Sequence, residues 1–435
     1  MPEFQAPAIL LSGIAPEIVL AGTALVLMIV SGFVSQQRFS WYLPLASTAG
    51  FAAAIVLAIR GVDGADELQL SGAVAADSFA MFVKVALAVF GLLTVWLARD
   101  YLTRDRLEEP EFYALVLFSV AGMMLMAGAA DLIVMFLALE TFSISLYVLV
   151  GFRRGSLLGQ EGAMKYFLLG AFSSAFFLLG IALMYGAVGG TNLYGSVTGA
   201  QDGIVTFLNN APVSGYGLAI IATGLLIIGL GFKVAAVPFH MWTPDAYQGA
   251  PSPVTGLMAA GTKLAAFAAL IRLLDVTLFT LRLDWRPIIV ALAVATMIIG
   301  SLLAVVQEDV KRILAYSSIA HAGFVLTGVL AASDRGVSGT LFYLATYGLT
   351  VLGAFGVVAV LGGRDERRVR LVDYRGLFYE HPGMAGALSL FLLSLAGVPV
   401  TVGFVGKLVV FGAAIQAREC LLQTAGRTGR CCHLR

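Results

Sequence analysis

Stretches of about twenty predominantly apolar residues recur along almost the whole chain, and that recurrence leaves few folds open. A helix rising 1.5 Å per residue needs ~20 such residues to cross the ~30 Å hydrocarbon core of a bilayer. Twelve windows qualify: 11–34, 41–60, 78–98, 112–129, 131–151, 163–188, 215–239, 253–274, 287–306, 312–332, 338–362 and 383–417. In lipid every backbone N–H and C=O must be satisfied inside the spanning structure, which for segments of this length means helices. The expected fold class is therefore all-α, a polytopic transmembrane helical bundle of about twelve spans. Composition agrees: 59% of residues are hydrophobic and only 12% charged, against about a quarter charged in soluble domains. No hydrophilic stretch is long enough for a soluble domain, and a net charge of +1 offers no basic face for nucleic acid. The first window has no basic residue before it and carries Glu17, so it reads as a first span and not as a signal peptide.

Loop charges set an expected orientation. Loops after odd-numbered windows hold thirteen lysines and arginines, including Arg38, Arg153, Arg154, Lys311 and the run Arg364 to Arg375; loops after even-numbered windows hold five. The positive-inside bias then puts the first set in the cytoplasm and the N-terminus outside. Two windows are interrupted by Gly and Pro beside a lysine: GLGFKVAAVPFHMW around Lys233 in the seventh, and AGVPVTVGFVGKLVVF around Lys407 in the twelfth. They stand five helices apart, so the two units enter the membrane from opposite sides as an inverted repeat, and interrupted helices in matching positions point to a transport site. The organisation expected is N-terminal helices 1–3 at 1–110, a first five-helix repeat at 111–274, a second and incomplete one at 286–417, and an aberrant tail at 418–435.

Lysine and arginine are distributed differently. Only six of the 27 basic residues are lysines, and five of them (Lys84, Lys165, Lys233, Lys263, Lys407) fall inside apolar windows, while arginine fills most loop positions. Arginine stays charged almost everywhere, whereas a desolvated lysine can exchange a proton near neutral pH. A basic residue at a helix centre costs about 2.5–3.5 kcal/mol, so three unpaired ones would cost roughly 8–10 kcal/mol, comparable with the whole stability of a domain. Such residues persist where they line a hydrated path or meet a carboxylate. The obvious carboxylate is Glu140, mid-window in DLIVMFLALETFSISLYVLV. At ~4 Å and an effective dielectric near 20 one such pair recovers about 4 kcal/mol, and moving the partner away would favour loss of the lysine's proton.

Plainer readings stand beside these. Lys84 lies about two turns from Asp77 and is expected to snorkel to the interface; Lys165 begins the sixth window and is open between snorkelling and relay. His321, in AYSSIAHAGFVLTG, is either a proton relay or a satisfied packing histidine, and His240 reads as interfacial or as a relay. Glu17 and Asp131 near window entrances read as structural acceptors or caps, and Asp245 in TPDAYQGAPSP as a turn cap. The three cysteines, Cys420, Cys431 and Cys432, lie in the last sixteen residues without CxxC spacing. With four scattered histidines, no iron–sulfur, zinc or haem site is supported.

The run GFKVAAVPFHMWTPDAYQGAPSPVTGLMAAGTKLAAFAAL, with EDVKRILAYSSIAHAGF and LALETFSISLYVL, resembles the signature of the antiporter-like membrane subunits of NADH-quinone oxidoreductase, respiratory complex I. PEIVLA and GFVGKLVVF look most like the branch lettered N, and the similarity covers about residues 10 to 417. The resemblance implies a fold of fourteen spans with two inverted five-helix repeats. It also implies proton translocation through Glu140 and Lys233 as input pair, Lys263 as central relay and Lys407 at the exit, with Lys165 and His321 at family positions. It implies no cofactor in this chain, with NADH, FMN, iron–sulfur clusters and quinone handled by other subunits. Partners would be the bilayer, protons and membrane-arm neighbours, subunits M, K and J among them, in a bacterial inner membrane. Two rival readings are a stand-alone or Mrp-type cation/proton antiporter and a non-pumping scaffold or inert fragment. The tail RECLLQTAGRTGRCCHLR has no apolar run of span length and would put arginines outside, against the charge bias; a frameshift or truncation replacing the last two spans is expected there.

Overall fold

The computed structural model describes residues 11–34, 39–62, 67–107, 109–195, 203–210 and 216–426. Arg38 and residues 427–435, with Cys431 and Cys432, lie outside them. In chain order the helices are α1 (Ala15–Ser31), α2 (Phe39–Val62), α3 (Ser78–Asp105), α4 (Pro110–Gly128), α5 (Leu132–Val150), α6 (Leu157–Val188), α7 (Ile204–Asn210), α8 (Gly217–Val234) and α9 (Trp242–Gly249). They continue with α10 (Ser252–Leu257), α11 (Lys263–Ile271), α12 (Arg282–Val305), α13 (Val310–Leu330), α14 (Asp334–Leu361), α15 (Leu377–Glu380), α16 (Pro382–Ala396) and α17 (Val402–Gly426). A short hairpin, β1 (Glu67–Gln69) and β2 (Val74–Ala76), pairs antiparallel between α2 and α3.

Among the described residues, eleven helical stretches are long and apolar enough to cross a membrane, and the twelfth window folds as α16 and the first part of α17, Val402–Ala417, each too short an apolar stretch to cross alone. Asp131 caps α5 by accepting from the Ile133 N–H at 2.7 Å and also accepts from the Thr191 hydroxyl at 2.8 Å, as its place in the sequence suggests. Both interruptions fall where expected. α8 stops at Ala235, which takes the left-handed conformation at φ +60° before Pro238, and the chain resumes as α9. α16 stops at Gly397, whose φ of +80° suits glycine, and Pro399 and Val400 precede the restart at α17. α17 runs on through Gly426, so the first part of the expected tail is helical.

The centre of the bundle is the eighth span, Ser252–Thr277, which is buried from Ser252 through Leu274. It is α10 and α11 joined and followed by π turns at Met258–Thr262 and Arg272–Thr277. Its small residues (Ala259, Ala260, Gly261, Ala265, Ala266) let α4, α8 and α14 pack closely around it. The outer spans present Leu302, Val305 and Phe172 away from the protein, as lipid-facing helices must.

Polar residues close both ends of the bundle. At the hairpin end Lys84 is wholly buried, with its ammonium 2.7 Å from Glu17 and 2.5 Å from the Gly13 carbonyl. The expected snorkelling of Lys84 is thus wrong, and the reason is geometric. α1 and the β-hairpin cover it, and Gln69 ties down Gly13 (2.7 Å) and Ser12 (2.9 Å) above it. Nearby, Arg272 holds Asp77 with two hydrogen bonds of 2.8 and 3.0 Å.

At the opposite end the loop after α14 folds back as Glu366, which accepts from Lys311 at 2.8 Å and from the Ser252 N–H at 2.7 Å, at the start of α10. Burial pushes the Glu366 carboxyl pKa up, but the Lys311 charge and these hydrogen bonds outweigh it and hold the group below its ordinary 4.5. A depressed carboxyl pKa stabilises the fold fully above the unfolded value and loses that contribution as pH falls through the folded value. Glu366→Gln is therefore expected to destabilise the protein by a constant amount above pH ~5, with the gap closing on further acidification. Thermal midpoints of both forms across pH would read it; a gap that is constant down to strongly acidic pH would refute the linkage.

Candidate proton path

Lys233 sits in the last turn of α8, just before the interruption, and is buried among aromatic rings. Its ammonium lies 5.2 to 5.5 Å from the ring centres of Phe142, Tyr147, Tyr166 and Phe232 and 3.5 Å from the Tyr147 hydroxyl. Ring faces attract a cation most where water is excluded. Direct pairing with Glu140 does not occur: the Glu140 carboxylate turns to α6 and accepts from the Ser174 hydroxyl. Tyr147, about two turns further along the same face of α5, occupies the space against the lysine. Glu140 stays within electrostatic reach of Lys233, so the two form a separated pair.

Lys263 follows the π turn Met258–Thr262 and donates to the backbone carbonyl of Ser318 on α13. A π turn shifts the register of the helix and often marks a functional position. One turn beyond Ser318, His321 is buried with Nδ1 2.5 Å from the Tyr343 hydroxyl and its ring 4.8 Å from that of Tyr347. His321 is within electrostatic reach of both Lys263 and Lys407.

Lys407, in the second turn of α17, donates to the carbonyls of Leu395 (3.0 Å) and Ala396 (2.9 Å). It therefore caps the free C-terminal end of α16, where the helix dipole is negative, with the Phe324 ring 5.0 Å away. The interruption supplies the polar partner that a mid-membrane lysine needs.

The remaining candidates lie apart from this group. Lys165 is half-exposed and pairs with Glu161 at 2.6 Å and Asp245 at 2.7 Å. Asp245 does not cap a turn as expected. It lies within α9 and also meets Arg312 at 2.7 Å, because α9 is wedged between α6 and α13. His240 is half-buried in the segment between α8 and α9, and no hydrogen bond joins it to the lysines among the described residues. Sequence reasoning missed Tyr147, Tyr166, Ser318 and Tyr343. The one usable signal was Tyr147, two turns from Glu140; the others read as ordinary core residues.

Titratable amines held at depth between two interrupted helices define an antiporter-like, multi-pass membrane subunit. The profile of the family described as NADH:quinone oxidoreductase/Mrp antiporter, TM, matches residues 129–431. NADH-quinone oxidoreductase subunit N of Trichlorobacter lovleyi is 42% identical, over 96% of this chain and 83% of its own length. A chain of respiratory complex I from Thermus thermophilus superposes with a TM-score of 0.72 at 35% identity, covering 92% of this chain and 83% of that one. One from the Mrp complex of Dietzia sp. superposes at 0.78 with 22% identity, over 93% and 75% of the two chains, and shares the fold. The chain belongs to the NADH:quinone oxidoreductase/Mrp antiporter family and, within it, to the subunit N proteins of NADH-quinone oxidoreductase.

Proposed function

We propose that this chain translocates protons across the membrane as subunit N of an NADH-quinone oxidoreductase, through Glu140, Lys233, Lys263, His321 and Lys407. The observation that carries the path is the succession Lys263, Ser318, His321 and Lys407, buried or partly buried, on three helices around the twelfth-span interruption. Glu140 and the boxed Lys233 load the proton, Lys263 passes it to the second half, and Lys407 releases it. Transfer between Lys233 and Lys263 is assigned to water between α8 and α11, which pack together. Lys165 acts at the margin of this path, and His240 has the weakest structural claim on a relay role.

The driving energy comes from electron transfer between NADH and quinone in other subunits, which hold FMN and the iron–sulfur clusters. Subunits M, K and J are the neighbours expected, in a bacterial inner membrane with the N-terminus on the periplasmic or extracellular side. Residues 111–274 and 286–417 act as the two inverted repeats, and the first three helices brace them. The test is Lys233→Ala in the assembled complex, with protons translocated per quinone reduced as the readout. A lowered ratio is expected, and an unchanged one would remove Lys233 from the path.

A further inference from the structure

We propose that Asp245 is a positioning residue coupling the two halves of the path: its carboxylate, shared between Lys165 of α6 and Arg312 of α13, seats α9 so that the aromatic box closes on Lys233. This deepens the proton-translocating reading and rests on it.

The two contacts use different oxygens, Oδ2 to Lys165 and Oδ1 to Arg312, both at 2.7 Å. α9 thus joins a helix of the first half to one of the second. Gln248, one turn along α9, adds to the same junction at 3.1 Å from Arg312 and 3.1 Å from Asp309. Glu161 is the other charge at Lys165. Below these contacts α9 rests directly on the backbone of α6. A side chain at Gly162 would come within 2.7 Å of the Asp245 carbonyl, so only glycine admits this approach.

Two features tie that seat to the proton path. Tyr166, next to Lys165, stacks on Trp242 of α9 at 4.3 Å and lies 5.2 Å from the Lys233 ammonium. Trp242 also donates to the Phe232 carbonyl at 3.0 Å, beside Lys233 itself. On the other side, Arg312 belongs to α13, the helix that carries Ser318 and His321. A movement of α13 therefore pulls on α9 through Asp245, and α9 moves two walls of the lysine box. Exposed ion pairs contribute little to stability; what Asp245 supplies is a physical connection between α6, α9 and α13 through which a shift of one can bias the others.

Asp245→Asn, Asp245→Glu, Lys165→Gln and the Lys165→Gln/Asp245→Asn pair would be compared in the assembled complex, with Lys263→Ala beside them. Complex content is read from NADH oxidation by an artificial acceptor. Asp245→Asn is expected to lower the proton-translocation rate roughly two- to tenfold at unchanged content and unchanged apparent KM for quinone. Asp245→Glu should restore most of it, and the double variant should be no worse than the poorer single. Wild-type rates in Asp245→Asn, or a loss that only follows complex content and that glutamate fails to rescue, would overturn the proposal. If Lys263→Ala also pumps normally, the proton-path reading fails first; if it alone is silent, only the role of Asp245 falls.

Discussion

Glu17→Ala is expected to cost this subunit about 3–5 kcal/mol, enough to deplete it from the membrane, although Glu17 lies outside the proposed proton path. The substitution would leave the Lys84 ammonium fully enclosed with the Gly13 carbonyl as its remaining partner. An uncompensated buried cation is costly because its desolvation is no longer offset by a facing charge. The same physics predicts rescue: Glu17→Ala/Lys84→Met removes both charges and keeps an unbranched side chain in the site, so most of the loss should return. Glu17→Gln should fall between, keeping the shape and one acceptor. Subunit content of membranes and the thermal midpoint of the solubilised complex read the effect. A fully stable Glu17→Ala, or a double variant no better than the single, would show that Lys84 finds water or lipid headgroups instead.

That pair also shows what a single sequence carries and what it withholds. Span number and the two interruptions were legible because membrane insertion is written locally, in apolar runs and in Gly and Pro near Lys233 and Lys407. Burial of Lys263 was legible for the same reason. Partner identity was not. Lys84 and Glu17 meet only after α1 packs against α2 and α4 with its start under the β-hairpin, and Asp245 meets Lys165 and Arg312 only because α9 is wedged between two helices distant in sequence. Nor was the side-chain direction of Glu140, which turns to Ser174 of α6 and leaves Tyr147 against Lys233. Helices apolar on nearly every face give periodicity no preferred side to report, so hydropathy sets their depth and not their azimuth. The capping of α16 by Lys407 was half visible: the lysine and the break stood in one motif, but not that they touch.

Lys263→Ala is expected to abolish proton movement through this subunit, the largest functional effect of any single change proposed. Lys263 lies in the buried part of the eighth span and reaches across to α13 of the second half. Alanine removes both the carrier and the polar bridge to Ser318, leaving Lys407 without a donor from the first half. Lys263→Arg separates charge from exchange. Guanidinium keeps a positive charge and can still donate to a carbonyl, but it holds its proton under nearly all conditions. If the residue works by passing a proton, arginine should be as inactive as alanine in an assembled complex. If it works only as a fixed charge bridging α11 to α13, arginine should pump close to the wild-type rate. Proton translocation measured against NADH oxidation, in membranes matched for complex content, decides between them. An active arginine variant would recast Lys263 as an electrostatic anchor, and the buried amines would then have to act without handing on protons themselves.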